Sequence, residues 1–148
     1  MHLIPFVLHA LISFALEKPI KLANKYLRRW AYTGQRVGKN WTGYFNFEGL
    51  SGQEKITIKQ FGTLIEGSIS TDINDGEYQL ESNLTGELFN EEYLMAIYRP
   101  NAKDAFGSGA IVLKLIDGGK RLKGCSAYQY SRDRDLKILP DYEWIRAR

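Results

Sequence analysis

The sequence predicts an all-β fold, a closed eight-stranded antiparallel meander barrel, preceded by an N-terminal membrane-associated helix. Two observations carry the expectation. After Lys39, apolar and polar residues alternate along short segments, and turn-forming residues return about every dozen positions with no helical interval between them. Before Lys39 the period is three to four residues, and an apolar run stands in front of it.

The first element runs from Leu3 to Leu16 and is apolar except for His9 and Ser13. As a helix it would reach about 21 Å, short of the ~30 Å hydrocarbon core. Three readings are open. A signal peptide finds a faint cleavage pattern at Ser13-Phe14-Ala15 but has no basic leading segment. A buried helix of a soluble protein is the plain alternative. The third, a membrane helix continued by the next stretch, gains support from that stretch. From Pro19, the residues Ile20, Ala23, Tyr26, Leu27, Trp30 and Ala31 recur at helical spacing, while Lys21, Lys25, Arg28 and Arg29 take other faces. Pro19 lacks an amide hydrogen and should kink the helix or start a second one, and Gly34 suits its end. Tyr26, Trp30 and Tyr32 fit the headgroup level, and the lysines could snorkel. The positive charges all follow the apolar run, which puts the remainder of the chain on the cytoplasmic side. His2 and His9 receive no role.

Eight strands follow: Trp41–Phe47, Glu54–Gln60, Thr63–Ser70, Glu77–Leu84, Glu92–Arg99, Gly109–Ile116, Arg121–Tyr130 and Asp141–Ala147. Turn chemistry joins them at Gly49-Leu50-Ser51-Gly52, Phe61-Gly62, Asn74-Asp75-Gly76, Pro100-Asn101 and Asp117-Gly118-Gly119-Lys120, the last fitting a primed hairpin turn with positive φ. Closure removes sticky sheet edges, and eight strands leave an interior that side chains fill or that holds one small ligand. Alternation assigns faces. Trp41, Gly43 and Phe45 share one, as do Ile56 and Ile58, and Ile111, Leu113 and Leu115 lie opposite Lys114. Leu122, Gly124, Ser126, Tyr128 and Tyr130 form a row, and Tyr142, Trp144 and Arg146 another. Several rows begin apolar and end polar. Such a barrel is packed at one end and offers a pocket at the other, or else its tyrosines simply straddle the rim with wet hydroxyls.

Charge divides the chain the same way. Through Asn40 there are seven basic residues against Glu17 alone, and from Trp41 onward 13 basic against 16 acidic. A basic neck on a mildly acidic body argues against DNA or RNA as a partner and for membrane phosphates. The division suggests a membrane-associated helical segment over 1–36 and a ligand-sensing barrel over 37–148. The single Cys125 excludes an internal disulfide and a cysteine-built metal site. The sequons at Asn40-Trp41-Thr42 and Asn83-Leu84-Thr85 fall at strand ends and are read as chance.

No catalytic constellation emerges, so the expectation is a binding protein, not an enzyme, with no metal or cofactor. Histidine is confined to His2 and His9, which removes a Ser-His-Asp triad and a histidine-ligated metal from the body. Gly107-Ser108-Gly109 with Lys114 departs from phosphate-loop spacing and opens a strand, not a helix. Glu91-Glu92 and Arg132-Asp133-Arg134-Asp135 read as solvated turn residues.

An ordered set of short motifs remains: Trp41-Thr42-Gly43, Ile56-Thr57-Ile58-Lys59-Gln60 with Thr63-Leu64-Ile65-Glu66-Gly67, Tyr98-Arg99, Gly107 to Leu115, Leu122-Lys123-Gly124 and a closing Trp144. In these the chain resembles the membrane-tethered β-barrel effectors of bacterial CBASS-type antiphage systems, over about Trp41 to the end and in the layout of its N-terminus. The family carries two transmembrane helices, whereas this chain has one marginal apolar run and one basic amphipathic stretch. The resemblance implies a barrel that binds a cyclic dinucleotide, self-association into a homo-oligomer, and disruption of the inner membrane from its cytoplasmic side. Either sign of control is open, ligand activating or ligand silencing. Residue chemistry and expected position then select the site. Purine faces would stack on Tyr98, Tyr128 or Tyr130, and phosphates would pair with Arg99, Lys59 or Arg132. The reading from a different class is a lipocalin-like carrier of a small apolar ligand, anchored to or exported across the membrane; a third is a structural adaptor with a filled barrel.

Overall fold

Alternation sorts each strand into an inward and an outward row, and in the computed structural model that sorting closes on itself. The structure describes residues 19–47, 50–74, 76, 78–102, 107–129 and 135–148. The strands are β1 (Asn40–Phe47), β2 (Leu50–Phe61), β3 (Leu64–Ile73), β4 (Tyr78–Phe89), β5 (Tyr93–Pro100), β6 (Gly109–Ile116), β7 (Arg121–Gln129) and β8 (Leu136–Arg146). Each pairs antiparallel with the next, and β8 returns to β1 through Trp41↔Arg146 to Tyr44↔Glu143. This is the expected meander barrel.

The inward rows are those the alternation assigned. Trp41, Trp144, Ile56, Leu113 and Leu122 are among the fully buried side chains, whereas Lys114 is exposed. Four boundaries differ by three residues or more: β3 runs on to Ile73 and β4 to Phe89, and β2 and β8 start earlier than expected. β2 begins at Leu50, because Leu50, Ser51 and Gly52 already pair with Phe47, Asn46 and Phe45. β8 begins at Leu136 and runs through Pro140, which reads as a breaker. Between Gly124↔Tyr142 and Ser126↔Leu139 the two residues Pro140 and Asp141 face Cys125 alone, a bulge with Asp141 at φ 56°. Proline has no amide to give the ladder and is tolerated at such an interruption. At the β6–β7 turn, Asp117, Gly118 and Gly119 all take positive φ, as the glycine pair suggests. Close strand approach explains Gly67 on the inner row of β3, where a Cβ would stand 2.1 Å from the Thr57 carbonyl oxygen.

Antiparallel order gives the barrel two unlike ends. At one, the tight β2–β3, β4–β5 and β6–β7 turns meet the segment before β1. There Val37 is wholly buried, and its amide donates to Gln60 Oε1 at 2.7 Å. Gln60 Nε2 donates back to the carbonyls of Gln35 (2.9 Å) and Gly62 (2.8 Å), and Trp41 Nε1 donates to the Val37 carbonyl at 2.9 Å. These bonds seal the end. Helix α1, residues 19–31, stands outside it. It touches the β2–β3 turn through Lys25, which lies 2.5 Å from Glu66 and 4.2 Å over the Phe61 ring, and through Tyr26 edge-on to Phe61. Ile20, Leu22, Leu27 and Trp30 remain exposed, Trp30 at 89%. Among the described residues no helix is long and apolar enough to cross a membrane, and the Leu3–Leu16 run lies outside them. The opposite end carries the two longest connections, after Pro100 and after Gln129.

Candidate ligand-binding site

The interior changes character along the barrel axis. Toward the sealed end it is aliphatic and indole, with Trp41, Ile58, Ile65, Leu88, Leu94 and Trp144 packed together. Toward the loop end the same inward rows carry Glu54, Thr71, Ser82 and Ser126, all buried, with Phe45, Tyr98 and Tyr128 partly buried beside them.

Register builds this layer. Tyr98 on β5 pairs with Gly109 on β6, which pairs with Tyr128 on β7. A Cβ at Gly109 would stand 2.5 Å from Tyr98 Oη, so glycine there is what lets the ring lie across the barrel. The Tyr98 and Ser126 hydroxyls share a hydrogen bond of 3.3 Å. On the facing wall the Tyr142 hydroxyl donates to Glu54 Oε2, and the Thr71 hydroxyl donates to Oε1 at 3.3 Å. The Trp144 indole N–H lies beside the same carboxylate without forming a hydrogen bond of good geometry.

Burial dominates the electrostatics. It pushes the Glu54 carboxyl above its ordinary range, and the hydrogen bonds from Tyr142 and Thr71, with the Trp144 indole N–H close by, only partly oppose it. It pushes the Tyr98 hydroxyl up to about 12, with Ser126 opposing and the Glu54 charge reinforcing. Tyr142 is held well above its usual value by burial and then by the Glu54 charge. The layer is thus one carboxyl group that holds its proton more tightly than usual, ringed by hydroxyls that keep theirs, a site able to give and accept hydrogen bonds.

At the loop end of β1, β2 and β3 lies a cleft of about 550 Å³ lined by Tyr44, Phe45, Asn46, Gly52, Gln53 and Asp72, most of them on the outer face. The Phe45 ring covers Gly52 so closely that a Cβ there would stand 2.2 Å from Phe45 Cζ. Asp72 Oδ1 is buried without a hydrogen-bond partner among the described residues.

Of the six residues expected at the site, Tyr98 and Tyr128 come together inside the barrel. Arg99 is exposed on the outer face, opposite Asn83. Lys59 is also exposed and outward, opposite Glu66 and close to the sealed end. Tyr130 and Arg132 lie outside the described residues. Glu54, Thr71 and Tyr142 were not singled out for the site. Glu54 was legible, since it precedes Ile56 and Ile58 on one alternating row. Among the described residues no group of three or more metal-ligating side chains is gathered.

Fold and site together define a small closed antiparallel barrel with a filled half and a polar, aromatic-walled half. No protein-family model, curated protein or solved structure matches the chain.

Proposed function

We propose that this chain is a membrane-tethered antiphage effector of CBASS type, whose barrel binds a cyclic dinucleotide and thereby controls oligomerisation and disruption of the bacterial inner membrane. The observation that carries the reading is the division of labour between the two barrel ends. The sealed end is sewn shut by Gln60 and carries a helix that exposes Lys21, Arg28, Arg29 and Trp30. Basic side chains beside an exposed indole suit an anionic lipid surface. The other end offers paired tyrosines and hydroxyls, which suit a polar ligand with flat rings. A ligand bound there would sit away from the bilayer, free to bias how barrels associate while the helices stay on the lipid.

The test uses the full chain with anionic lipid vesicles. A panel of cyclic dinucleotides is titrated calorimetrically, and dye release from the vesicles is followed with and without each compound. The expected result is saturable heat from at least one dinucleotide, together with a ligand-dependent change in dye release. Absence of heat from every dinucleotide, with uptake of a fluorescent fatty-acid probe instead, would replace this reading with the lipocalin-like carrier.

A further inference from the structure

The outward face of a sheet that meets water is normally polar. The row through Thr57, Ser68 and Asn83 on β2, β3 and β4 follows that rule. On β5 to β8 the pattern changes. Ile97 pairs with Ala110, Ala110 with Ala127, and Ala127 with Ile138. One step toward the sealed end, Met95 pairs with Val112 and Val112 with Cys125. Residues opposite one another on neighbouring strands share a face, so these form two unbroken apolar rows. Ile138, Ile97, Met95 and Val112 are 42–59% exposed. Helix α1 meets the barrel at the β2–β3 turn, on the other side of the ring.

Size and charge indicate what covers this wall. Four strands about 4.8 Å apart and two rows about 6.8 Å apart make an apolar centre of roughly 250 Å². Polar rows flank it, with Arg99 and Gln129 toward the loop end and Lys114 and Lys123 toward the sealed end. Including them brings the footprint to roughly 500 Å². A standard interface buries about 800 Å² per partner as an apolar centre in a polar rim. The wall therefore suits a weak contact, populated when chains are held close together. Its two central rows hold no charged group, so a copy related by a two-fold axis sets apolar on apolar without like charges at the centre. Lys114 and Lys123 already pair within the chain, with Glu92 at 3.7 Å and Asp141 at 3.4 Å. Resting on the oligomerisation part of the reading above, we propose that the outer wall of β5 to β8 is the surface through which one copy of this chain binds another. Barrels standing on lipid with their sealed ends then meet side by side. Tyr98, Gly109 and Tyr128 lie inward on the same strands, each next in sequence to Ile97, Ala110 or Ala127, so the polar layer backs onto this contact.

Cys125 is the only cysteine of the chain and is exposed, so it reports on the centre of the wall. Full-chain protein is bound to anionic vesicles at rising surface density. Two readouts are followed: alkylation of Cys125 by a maleimide, and dimer formation with a short bismaleimide, which can join only Cys125 to Cys125. Alkylation should slow and crosslinked dimer should accumulate as density rises. Val112→Lys sets like charges face to face and should raise the density needed at least about tenfold. Ser68→Lys, on the polar wall, should leave it unchanged. Thermal unfolding checks that both variants are folded, and the wild-type density series decides the matter even where Val112→Lys is not. An alkylation rate that is fast at every density would overturn the inference. A rate that is slow at every density would mean that the chain covers the wall itself, and would overturn it too. Val112→Lys dimerising as readily as Ser68→Lys would do the same. None of these results alters the calorimetric heat of cyclic dinucleotides, whose absence would withdraw the dinucleotide reading and leave this contact standing.

Discussion

Glu54 and Gln60 occupy the same inner row of β2, three pairs of residues apart, and their polar groups do opposite work. Gln60 spends its amide on closing the barrel, with both ends of the group engaged by the segment before β1 or by the β2–β3 turn. Glu54 instead takes hydrogen bonds from Tyr142 and Thr71 within the polar layer. Neighbouring positions tell a related story for Tyr98 and Arg99. Adjacent residues of a strand point to opposite faces, so a ring and the guanidinium next to it in sequence do not converge on one ligand. Tyr98 points in and Arg99 points out. The same rule works in favour of Trp41 and Trp144, whose burial the alternation foretells and the structure bears out at 1% and 0% exposure. Replacing either with Ala should cost about 3–5 kcal/mol in urea unfolding, through lost packing and the cavity left behind. A loss below about 1 kcal/mol would mean that the indole is not part of the packed interior.

At the scale of elements, the boundary between helix and barrel does not follow helical period. Val37 and the carbonyls of Gln35 and Arg36 belong to the barrel end, the last accepting from Arg146. Helix α1 instead makes a few contacts at the β2–β3 turn, including a partly exposed ion pair of little worth. A chain starting at Gln35 should therefore unfold with the same urea midpoint as a chain starting at Pro19. One starting at Lys39 should lose about 2–3 kcal/mol, because it lacks Val37 and the bonds that Gln60 makes to it. Equal midpoints for all three would show that the segment before β1 does not hold the barrel closed. The β2–β3, β3–β4 and β6–β7 turns were readable because Gly or Asn sits where φ is positive, whereas the turn at Gly49-Leu50-Ser51-Gly52 is mostly strand and the β4–β5 turn, with Asn90 and Glu91 at positive φ, was not read. The β8 bulge was not, since a proline marks an interruption in the ladder and cannot say that pairing resumes beyond it.

Over the whole molecule, the buried layer should leave a signature in stability against pH. Glu54 has a folded value above its ordinary 4.5, so the folded state holds that proton more tightly than the unfolded state does. Its contribution is complete below about 4.5 and is lost as pH rises through the folded value. Tyr98 behaves likewise between its ordinary 10.0 and about 12. Wild-type stability relative to Glu54→Gln should thus fall as pH rises above 4.5, and relative to Tyr98→Phe as pH rises above 10. Parallel curves in urea denaturation at each pH would show that neither group changes its proton affinity on folding.

What the sequence determined by itself was everything set by period two: eight strands, their inward rows, the buried indoles and a meander order that short turns impose. It also placed a basic helix ahead of them. Only the tertiary structure decided which end of the barrel is sealed and which inward polar groups meet. Those depend on the stagger between strands, which brings Tyr142 to Glu54 across 88 residues and Tyr98 to Ser126 across 28. Alternation names the face a residue takes, while closure with its fixed stagger decides its height and its neighbours inside the barrel.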